Sequence, residues 1–317
     1  MSAAPLLSIC IPTWNRANYL RGTLGTLLES MRELEASIEL IISDNASDDE
    51  TPRVIAEFAA KIPVLRAYRN PENIGELNYY AVSQRATGEF LWLLGDDDQM
   101  STNLLPTIIG RLKTAPDLVV CNHSIHSLDF SVILKPLFYR GRKRSYRTRD
   151  EVLSCFGVGL GFISAVVMRR ENFAAISKSE HKEFAPYGLS FFYALCASLP
   201  IKCRTEFIAE PLLHNRAGNS NTPDWNRIFI TGVGAVLTAL NRIGYSLPAI
   251  RKAKDRAIRD YILPRLALLK RNGEPAGPLL GAAYSVYCDC MMYWCVALPL
   301  LIVPQPLIAF AKRTLRR

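Results

Sequence analysis

The sequence is poor in the residues that build zinc and disulfide sites. It has four histidines and eight cysteines in 317 residues, and the cysteines form no CxxC pair. Because structural zinc sites use closely spaced Cys and His ligands, this pattern argues against a zinc protein. The first ten residues, MSAAPLLSIC, contain no basic residue, so we interpret them as leading into a strand rather than as a secretory signal. We therefore expect the cysteines to be free thiols in a reducing cytoplasm.

Acidic residues are in the minority, since 29 Asp and Glu against 38 Lys and Arg give a formal net charge of +9. Such a charge favours an anionic partner, which is a nucleic acid, a phosphorylated ligand or an anionic lipid. The basic residues concentrate in 140–149, 251–271 and the last six positions. A nucleic-acid partner is disfavoured, because this charge lies near an apolar terminus and has no interleaved aromatic residues.

The first 125 residues alternate short apolar runs with amphipathic segments. Runs typical of β-strands occupy 7–11, 38–43, 64–68, 89–94 and 117–121. Segments with helical spacing lie between them, at 16–34, 51–60, 76–85 and 101–113. Strands that alternate with helices at this pitch predict an α/β fold with a Rossmann-like, mostly parallel sheet and helices on both faces.

This rhythm changes after residue 125. A polar and basic stretch precedes strand-like runs at 164–168 and 201–209, and helical patterns follow at 225–240 and 247–270, the latter interrupted near Pro264. We therefore divide the chain into 1–125, 126–218, a helical region at 219–275 and a hydrophobic and basic segment at 276–317.

The segment 291–311 carries no charge over 21 residues, and KRTLRR follows it. Its length is sufficient to cross a hydrocarbon core of ~30 Å. Pro299, Pro304 and Pro306 interrupt it, however, and favour an interfacial or re-entrant membrane anchor. A true membrane span and a pair of buried helices are the alternatives. The basic tail is expected to meet anionic headgroups on the cytoplasmic side.

The strongest chemical signal is a buried-type strand that ends in three carboxylates, LWLLGDDD at 91–98. Ligands of open α/β sheets bind beyond the carboxyl ends of the strands. Clustered carboxylates repel one another unless a cation offsets them, and hard oxygen ligands suit Mg²⁺ or Mn²⁺. In an extended chain, Asp96 and Asp98 would point to one side and Asp97 to the other. The alternative is a solvated acidic turn that caps the next helix.

Polar residues also follow the first three strands. The first is followed by PTWNR at 12–16, the second by DNASDD at 44–49, and the third by NPENIG at 70–75 with Asn78 beyond it. Each segment alone is open to a structural interpretation, such as an Asx turn or a helix cap. Because the carboxyl ends of parallel strands meet at one edge, the segments together predict a ligand site there.

The motifs SICIPTWNR, IISDNASDDET, NPENIGELN and LWLLGDDD, in this order, resemble the landmarks of inverting glycosyltransferase family 2, whose members have the GT-A fold. The similarity is good over residues 6–125 and loose beyond them. The variant LWLLGDDD, together with HNRAGNS at 214–220, is similar to the abequosyltransferase-type branch, which acts on O-antigen and related surface polysaccharides.

The resemblance implies a nucleotide-sugar donor bound by 1–125 and an acceptor bound by 126–218. It implies that Asp98 is the direct metal ligand and that Asp96 lies near the ribose and the metal, with Asp97 in the variable middle position. The cofactor it implies is Mn²⁺ or Mg²⁺. His214 and Arg216 are candidates for contact with the donor diphosphate or the acceptor, since Arg pairs well with phosphate oxygens. The implied nucleotide-binding residues also include Pro12, Thr13, Asn15, Arg16, Asp44, Asn73, Gly75 and Asn78.

The chain departs from the family pattern at the general base. Family members usually place an Asp, often in a Glu-Asp pair, about 90 residues after the acidic motif, whereas this chain reads KEFAPYGL at 182–189. Glu183 is the first candidate for the base and His181 the second, and either is alternatively a surface residue of a loop.

The function that these features predict is sugar transfer to an acceptor hydroxyl in bacterial surface polysaccharide synthesis. The expected acceptor is a saccharide linked to a polyprenyl diphosphate, and the expected location is the cytoplasmic face of the inner membrane. Two alternatives are a catalytically silent GT-A-like scaffold and a sugar-phosphate nucleotidyltransferase. The latter class generally has a glycine-rich loop after the first strand, and PTWNRANYL contains no glycine.

Overall fold

The fold was determined from a computed structural model, which describes residues 4–31, 34, 37–218 and 225–302. Ten strands of the described residues form one sheet. They are β1 (Leu7–Thr13), β2 (Ile38–Asp44), β3 (Leu65–Arg69), β4 (Phe90–Leu93), β5 (Gln99–Met100), β6 (Leu118–His126), β7 (Ile133–Lys135), β8 (Ser145–Thr148), β9 (Val166–Arg169) and β10 (Lys202–Arg216).

Helices flank this sheet and continue beyond it. They are α1 (Ala17–Ser30), α2 (Thr51–Ala59), α3 (Leu77–Ser83), α4 (Leu104–Leu112), α5 (Arg149–Phe156), α6 (Arg170–Ala174), α7 (Lys178–Phe184), α8 (Ser190–Ser198), α9 (Val233–Arg242), α10 (Leu247–Ala257), α11 (Leu263–Asn272), α12 (Gly277–Tyr287) and α13 (Pro299–Ile302).

The strand order is β3-β2-β1-β4-β9-β6-β10-β5, with β7 paired to β6 and β8 paired to β10. The four strands that carry the sequence motifs are neighbours and run parallel, so their carboxyl ends do meet at one edge. The remainder of the sheet is mixed, so the prediction of a mostly parallel sheet holds only in part. Strand β10 pairs with β6 in parallel. Strand β9 is antiparallel to both β4 and β6, and β5, β7 and β8 also pair antiparallel.

The path of the chain before β9 explains its direction. The 3-10 turns over 157–165 bring the chain to the carboxyl end of β4, where Ser164 contacts Asp98. A strand that starts at this edge has to run away from it, whereas β4 runs towards it. The antiparallel pairing of Leu91 with Met168 and of Trp92 with Val167 follows.

The core of the sheet is built by strand alternation. Every second residue of a strand points to the same face, and Ile9, Leu40 and Trp92 on one face are completely buried. They belong to one apolar cluster with side chains of α1, α2 and α4, including Leu24 and Ile108. Burial on this scale, at about 25 cal/mol per Å² of apolar surface, fixes the positions of the strand ends that form the cleft described below.

The chain divides into two compact units. The first comprises Met1–Val152 and Leu160–Asn221 and contains the whole sheet. The predicted nucleotide and acceptor segments, 1–125 and 126–218, therefore share one sheet. The second comprises Leu153–Gly159 and Thr222–Arg317 and is helical in its described part. Its predicted 247–270 helix is α10 and α11, joined by a π-helical turn at Ile258–Ile262, and Pro264 lies in the first turn of α11.

The C-terminal hydrophobic segment is described only to residue 302. It forms a π-helical turn at Tyr293–Ala297 and then α13, and Met291 and Trp294 are exposed. Among the helices of the described residues, none is both long enough and apolar enough to cross a membrane. Residues 303–317 of the predicted anchor, which include the basic tail, lie outside the described residues.

Candidate active site

A cleft with a cavity volume of about 510 Å³ lies at the carboxyl edge of the parallel strands. Its lining brings together nine of the residues that the sequence singled out: Pro12, Thr13, Arg16, Asn73, Gly75, Asn78, Asp96, Asp97 and Asp98. It also contains residues that sequence reasoning did not assign to a site: Trp14, Asn45, Glu76, Tyr79, Gly95, Gly161, Phe162, Ile163 and Asn215.

The three carboxylates of the acidic motif do not alternate along an extended strand, although the sequence had suggested that they would. The chain turns at Asp96 and Asp97, and two residues separate this turn from the end of β4. Asp96 and Asp97 consequently face the same guanidinium, that of Arg16, which lies 3.3 Å from Asp96 Oδ1 and closer still to Asp97 Oδ2. Arg16 follows β1, so this ion pair joins the ends of two adjacent strands.

Asp98 is separated from that pair and is almost completely buried. The Ser164 hydroxyl donates to its Oδ2 at 2.5 Å, and Asn215 Nδ2 donates to its Oδ1 at 3.1 Å. Ser164 is itself held in place, because Trp92 Nε1 donates to its carbonyl oxygen at 2.8 Å. Segments near β9, β10 and β4 therefore all position one carboxylate.

Gly95 is required by the crowding at this turn. A β-carbon on Gly95 would lie 2.9 Å from Asp98 Oδ2 and 3.1 Å from both Asp97 Oδ1 and Ser164 Oγ. Its backbone N–H also donates to Ser164 Oγ at 2.8 Å. The absence of a side chain at this position therefore lets the acidic turn close against Ser164.

The electrostatics of the turn favour an incoming cation. Burial raises the pKa of Asp96 and that of Asp98, and the neighbouring charge of Asp97 adds to both rises. Arg16 offsets part of the effect at Asp96, whereas the donors to Asp98 are the neutral groups of Ser164, Asn215 and the Arg216 backbone. Ionised carboxylates in this position are costly until positive charge is supplied.

Whether the residues fit a metal can be judged from their donor atoms. Across the described part of the chain, no three His, Cys, Asp or Glu side chains form a ready-made metal cage. Asp96 and Asp98 nevertheless offer hard oxygen atoms in a cleft that disfavours their negative charge. Mg²⁺ is commonly held by one or two carboxylates together with substrate phosphates and water. The donor set thus fits a divalent cation that arrives with a phosphorylated ligand.

The end of β2 presents Asn45, and not the predicted Asp44, to the cleft. Asp44 is buried, forms an ion pair with Arg69 and accepts a hydrogen bond from Ser47 N at 3.0 Å. Asn45 donates through Nδ2 to Asn73 Oδ1 at 2.6 Å and accepts from Ile74 N at 3.0 Å. Asp44 therefore stabilises the loop from beneath, and its neighbour faces the ligand space.

An asparagine network fixes the third strand end relative to the second. Asn78 Nδ2 donates to the Ser43 carbonyl at 2.9 Å and Ser43 Oγ donates to Asn78 Oδ1 at 2.6 Å. Asn70 Nδ2 reaches both Asn78 Oδ1 and Asn45 Oδ1, at 3.0 and 2.9 Å. Buried amides that satisfy one another in this way give the polar wall of the cleft a defined shape.

Asn15 connects two loops without lining the cleft. Its side chain donates to Asp48 Oδ1 at 2.6 Å and accepts from Asp48 N at 2.9 Å. Asn15 and Ala46 both adopt positive φ, at 51° and 61°, which is unusual for residues other than glycine. The turns after β1 and β2 are therefore held in a strained form next to the cleft, as is common at binding sites.

The segment His214-Asn215-Arg216 belongs to β10 and is not a loop between the sheet and the helices. Its middle residue, Asn215, lines the cleft, whereas the two predicted ligand contacts have protein partners. His214 Nε2 lies 3.0 Å from Ser101 Oγ, and Arg216 Nε donates to the Asp97 carbonyl oxygen at 3.1 Å. The alternation along a strand could have singled out Asn215. Asn219 and Ser220 of this motif lie outside the described residues.

Neither predicted general base reaches the cleft. Glu183 is exposed on α7 and is not part of the cleft lining. His181 is fully buried against the rings of Tyr80 and Phe173, and neither ring nitrogen has a hydrogen-bond partner among the described residues. Burial lowers the pKa of His181 to about 4, as expected for a histidine that serves as an apolar packing element.

Comparison with known proteins places this geometry in a family. The model described as Glycosyl transferase family 2 matches residues 8–176, more than half of the chain. The abequosyltransferase RfbV of Salmonella typhimurium is 27% identical over 234 residues, 68% of each chain. The minor teichoic acid biosynthesis protein GgaA of Bacillus subtilis is 27% identical over 143 residues, which cover 44% of this chain and 29% of that protein.

Solved structures show the same fold at low sequence identity. A fragment of S. aureus TarS in complex with UDP superposes with a TM-score of 0.57 at 13% identity, over 84% of this chain and 73% of that one. The mannosyltransferase PcManGT from Pyrobaculum calidifontis, in complex with GDP-Man and Mn²⁺, gives a TM-score of 0.55 at 15% identity, over 95% and 86% of the two chains. The family match covers β1 to β4 with the acidic turn and extends through β9. The chain belongs to glycosyltransferase family 2.

Proposed function

We propose that this protein transfers a sugar from a nucleoside-diphosphate sugar to an acceptor hydroxyl. The observation that carries the proposal is the cleft at the ends of adjacent strands, in which Asp96 and Asp97 face Arg16 and which Asp98 and Asn45 also line. Carboxylates for a cation, a guanidinium for phosphate oxygens and an amide-lined wall for a polar ligand are the groups that a nucleotide sugar requires.

Different residues of the cleft would bind different parts of the donor and the metal. Asn45, Asn73 and Asn78 form the wall that would hold the nucleoside, since their amides are fixed by the network described above. Arg16 would bind the diphosphate in place of its present carboxylate partners. Asp96 and Asp98 would hold Mn²⁺ or Mg²⁺, and Ser164 and Asn215 would keep Asp98 in position. A bound divalent cation would supply stabilisation of the negative charge on the leaving diphosphate.

The proposed pathway is bacterial surface polysaccharide synthesis, with a polyprenyl-diphosphate-linked saccharide as acceptor. Two relatives support this, because one is named an abequosyltransferase and another a protein of teichoic acid biosynthesis. The positive charge of the chain, +9, suits an acceptor that carries a diphosphate or lies among anionic lipids. We extend the proposal to location, at the cytoplasmic face of the membrane.

A donor panel tests the proposal. Full-length protein is incubated with UDP-, GDP-, CDP- and dTDP-sugars, with Mn²⁺ and with bacterial membranes as acceptor, and nucleotide release is measured. We expect release from one donor class, lost on chelation of the metal and increased by the membranes. Release of pyrophosphate from a nucleoside triphosphate and a sugar phosphate would favour the nucleotidyltransferase. No release from any donor would contradict the proposal and favour a catalytically silent protein.

A further inference from the structure

Glu76 is a carboxylate of the cleft that the acidic motif does not include. It lies directly before α3, in the segment that follows β3, and it lines the same cavity as Asp96 and Asp98. The side chain is partly buried. Glu76 therefore lines the cleft from a different segment of the chain than the acidic turn.

The surroundings of Glu76 differ from those of the other carboxylates. Asp96 and Asp97 face Arg16, and Asp98 accepts hydrogen bonds from Ser164 and Asn215. Glu76 Oε2 accepts a 3.3 Å hydrogen bond from Ser190 N, at the start of α8.

The surroundings of Glu76 change its protonation. Burial raises the pKa of Glu76 to about 7, and the hydrogen bond from Ser190 only partly opposes this. The charged groups of the cleft on neighbouring segments are Arg16, Asp96 and Asp97, which share with Glu76 an influence on the buried Tyr79 hydroxyl. A carboxylate whose pKa lies near neutral pH is suited to accept a proton and to release it again.

We infer that Glu76 is the general base of the proposed reaction, in the role for which the sequence had offered Glu183 or His181. This inference rests on the proposed function. The acceptor hydroxyl gives its proton to the Glu76 carboxylate while its oxygen forms a bond to the anomeric carbon of the donor sugar. The bond from that carbon to the diphosphate oxygen breaks, and its electron pair leaves with the nucleoside diphosphate. The proton on Glu76 is then lost to water.

The test compares turnover and nucleotide binding in a set of full-length variants. Glu76→Gln keeps an oxygen to accept from Ser190 N but cannot take a proton. Glu72→Gln, at an exposed acid four positions earlier, is the matched control, and Glu183→Gln tests the candidate from the sequence. Nucleotide release is measured with whichever donor of the panel the wild type uses, and binding of the corresponding nucleoside diphosphate with Mn²⁺ is measured by calorimetry.

We expect Glu76→Gln to lower kcat on the order of 10²–10⁴-fold while nucleotide affinity changes less than threefold. Glu72→Gln and Glu183→Gln should keep wild-type turnover. If Glu76→Gln binds nucleotide and retains more than a third of wild-type turnover, the assignment is overturned and the proposed function stands. If the wild type uses no donor, both are overturned together.

A second variant covers the case in which Glu76→Gln does not bind nucleotide. Glu76→Asp retains the carboxylate and moves it back by one methylene, and misplacement of a catalytic group by about 1 Å costs on the order of 10² in rate. We expect at least a tenfold loss of kcat with unchanged nucleotide affinity. Wild-type turnover in this variant overturns the assignment.

Discussion

At the scale of single residues, the cleft contains carboxylates whose ionisation does not favour folding. Asp98 is almost fully buried, and its contacts are the neutral donors Ser164 and Asn215. A raised carboxylate pKa in the folded state means that ionisation at neutral pH opposes folding. Buried carboxylates of this kind are retained for the ligand that they bind. Replacing one should therefore increase the stability of the protein and decrease its activity.

Asp98→Asn should therefore raise stability and abolish function. At pH 7 without metal, we expect the free energy of unfolding to rise on the order of 1 kcal/mol, because the buried charge and its repulsion from Asp97 are removed. Turnover should fall on the order of a thousandfold, since metal stabilisation of the leaving group is worth several kcal/mol. Denaturant unfolding in EDTA and nucleotide release measure the two effects.

The control for this variant is Asp129→Asn. Asp129 is exposed, and hydrogen bonds from Ser127 and Ser131 hold its pKa below the ordinary value. The pKa shift of Asp129 is therefore opposite in sign to that of Asp98. Asp129→Asn should not increase the free energy of unfolding and should not reduce turnover. A destabilised Asp98→Asn protein, or one with wild-type turnover, would contradict the interpretation of the acidic turn.

The inferred general base predicts the pH dependence of turnover. Burial raises the pKa of Glu76 to about 7. Glu76 has to be ionised to accept a proton, so its protonation at lower pH removes activity. We expect kcat/KM to increase with pH through about 7 and to level off above it, measured from pH 5.5 to 8.5 with the donor found in the panel. A rate that stays constant or rises as the pH falls from 8 to 6 would contradict this.

At the scale of elements, the site depends on how closely strand ends approach one another. The turn after β4 fits against the 3-10 turn at Ile163–Ala165 because Gly95 has no side chain. Strand β5 follows the turn and pairs with Leu213 and His214 of β10, which brings Asn215 to Asp98. Backbone pairing thus sets the position of Asn215 relative to Asp98.

Gly95→Ala should disturb the site more than the fold. The added β-carbon would approach Asp98, Asp97 and Ser164 to about 3 Å, so the carboxylates must shift. We expect turnover to fall on the order of 10²-fold, since misplacement by about 1 Å has that effect. Kinetics and thermal unfolding provide the measurement.

Gly110→Ala is the matched glycine control. Gly110 lies within α4 and a β-carbon there meets no atom within 4 Å. Helix propensity should increase the free energy of unfolding by about 0.5–1 kcal/mol with turnover unchanged. The prediction for Gly95 is wrong if both variants have the same kinetics.

The sequence predicted the elements of the first half well and the contacts of the site less well. Apolar runs located β1, β2 and β4, whose residues are all buried, because burial on both faces of a parallel sheet leaves a clear pattern. The direction of β9 depends on where the preceding turns return the chain, which no local pattern records. The sequence predicted Asp44 as the ligand contact, whereas its neighbour Asn45 lines the cleft, for the same reason. The twist at a strand end decides which of two neighbours faces the cleft.

Glu76 was missed because its chemistry depends on distance in space. In the sequence it is one acid between Gly75 and Leu77, and its segment was singled out for its asparagines and glycine. Only the folded chain brings Ser190 and the cavity to it, across 114 positions. The resemblance to family 2 suggested a search about 90 residues after the acidic motif, whereas the cleft obtains a carboxylate from a segment that precedes it.

At the scale of the whole molecule, the sheet-containing unit holds the cleft and the second unit carries the hydrophobic C-terminal segment. The second unit also contains the basic stretch 251–271 and the KRTLRR tail. An enzyme acting on a lipid-linked acceptor benefits from residence at the membrane surface, where donor and acceptor meet. Charge and exposed apolar residues such as Met291 and Trp294 are the features that would provide it.

Replacing the four basic residues of the tail at 312–317 with serine should weaken binding to anionic vesicles. Each basic residue near such a surface is worth about 1 kcal/mol, so we expect at least a tenfold loss of affinity for phosphatidylglycerol vesicles. Co-sedimentation at 50 and 500 mM salt measures it, and the wild type should bind less at high salt. A parallel variant with serines at Arg142 and Lys143 shows whether the 140–149 segment contributes. Equal sedimentation of the wild type and the tail variant would refute the role of the tail.

The pairing of Arg16 with two aspartates has a consequence for the order of events in the cleft. A metal ion that binds alone at Asp96 and Asp98 would have to compete with Arg16 for the carboxylate of Asp96. A nucleotide that enters alone can take the guanidinium but exposes the aspartates to each other. When both bind together, the metal supplies positive charge to Asp96 and Asp98 and the diphosphate supplies negative charge to Arg16, so each ligand should tighten the binding of the other by the same factor. The protein would then bind the metal and the donor tightly when both are present. It would bind either one alone weakly at cellular background levels.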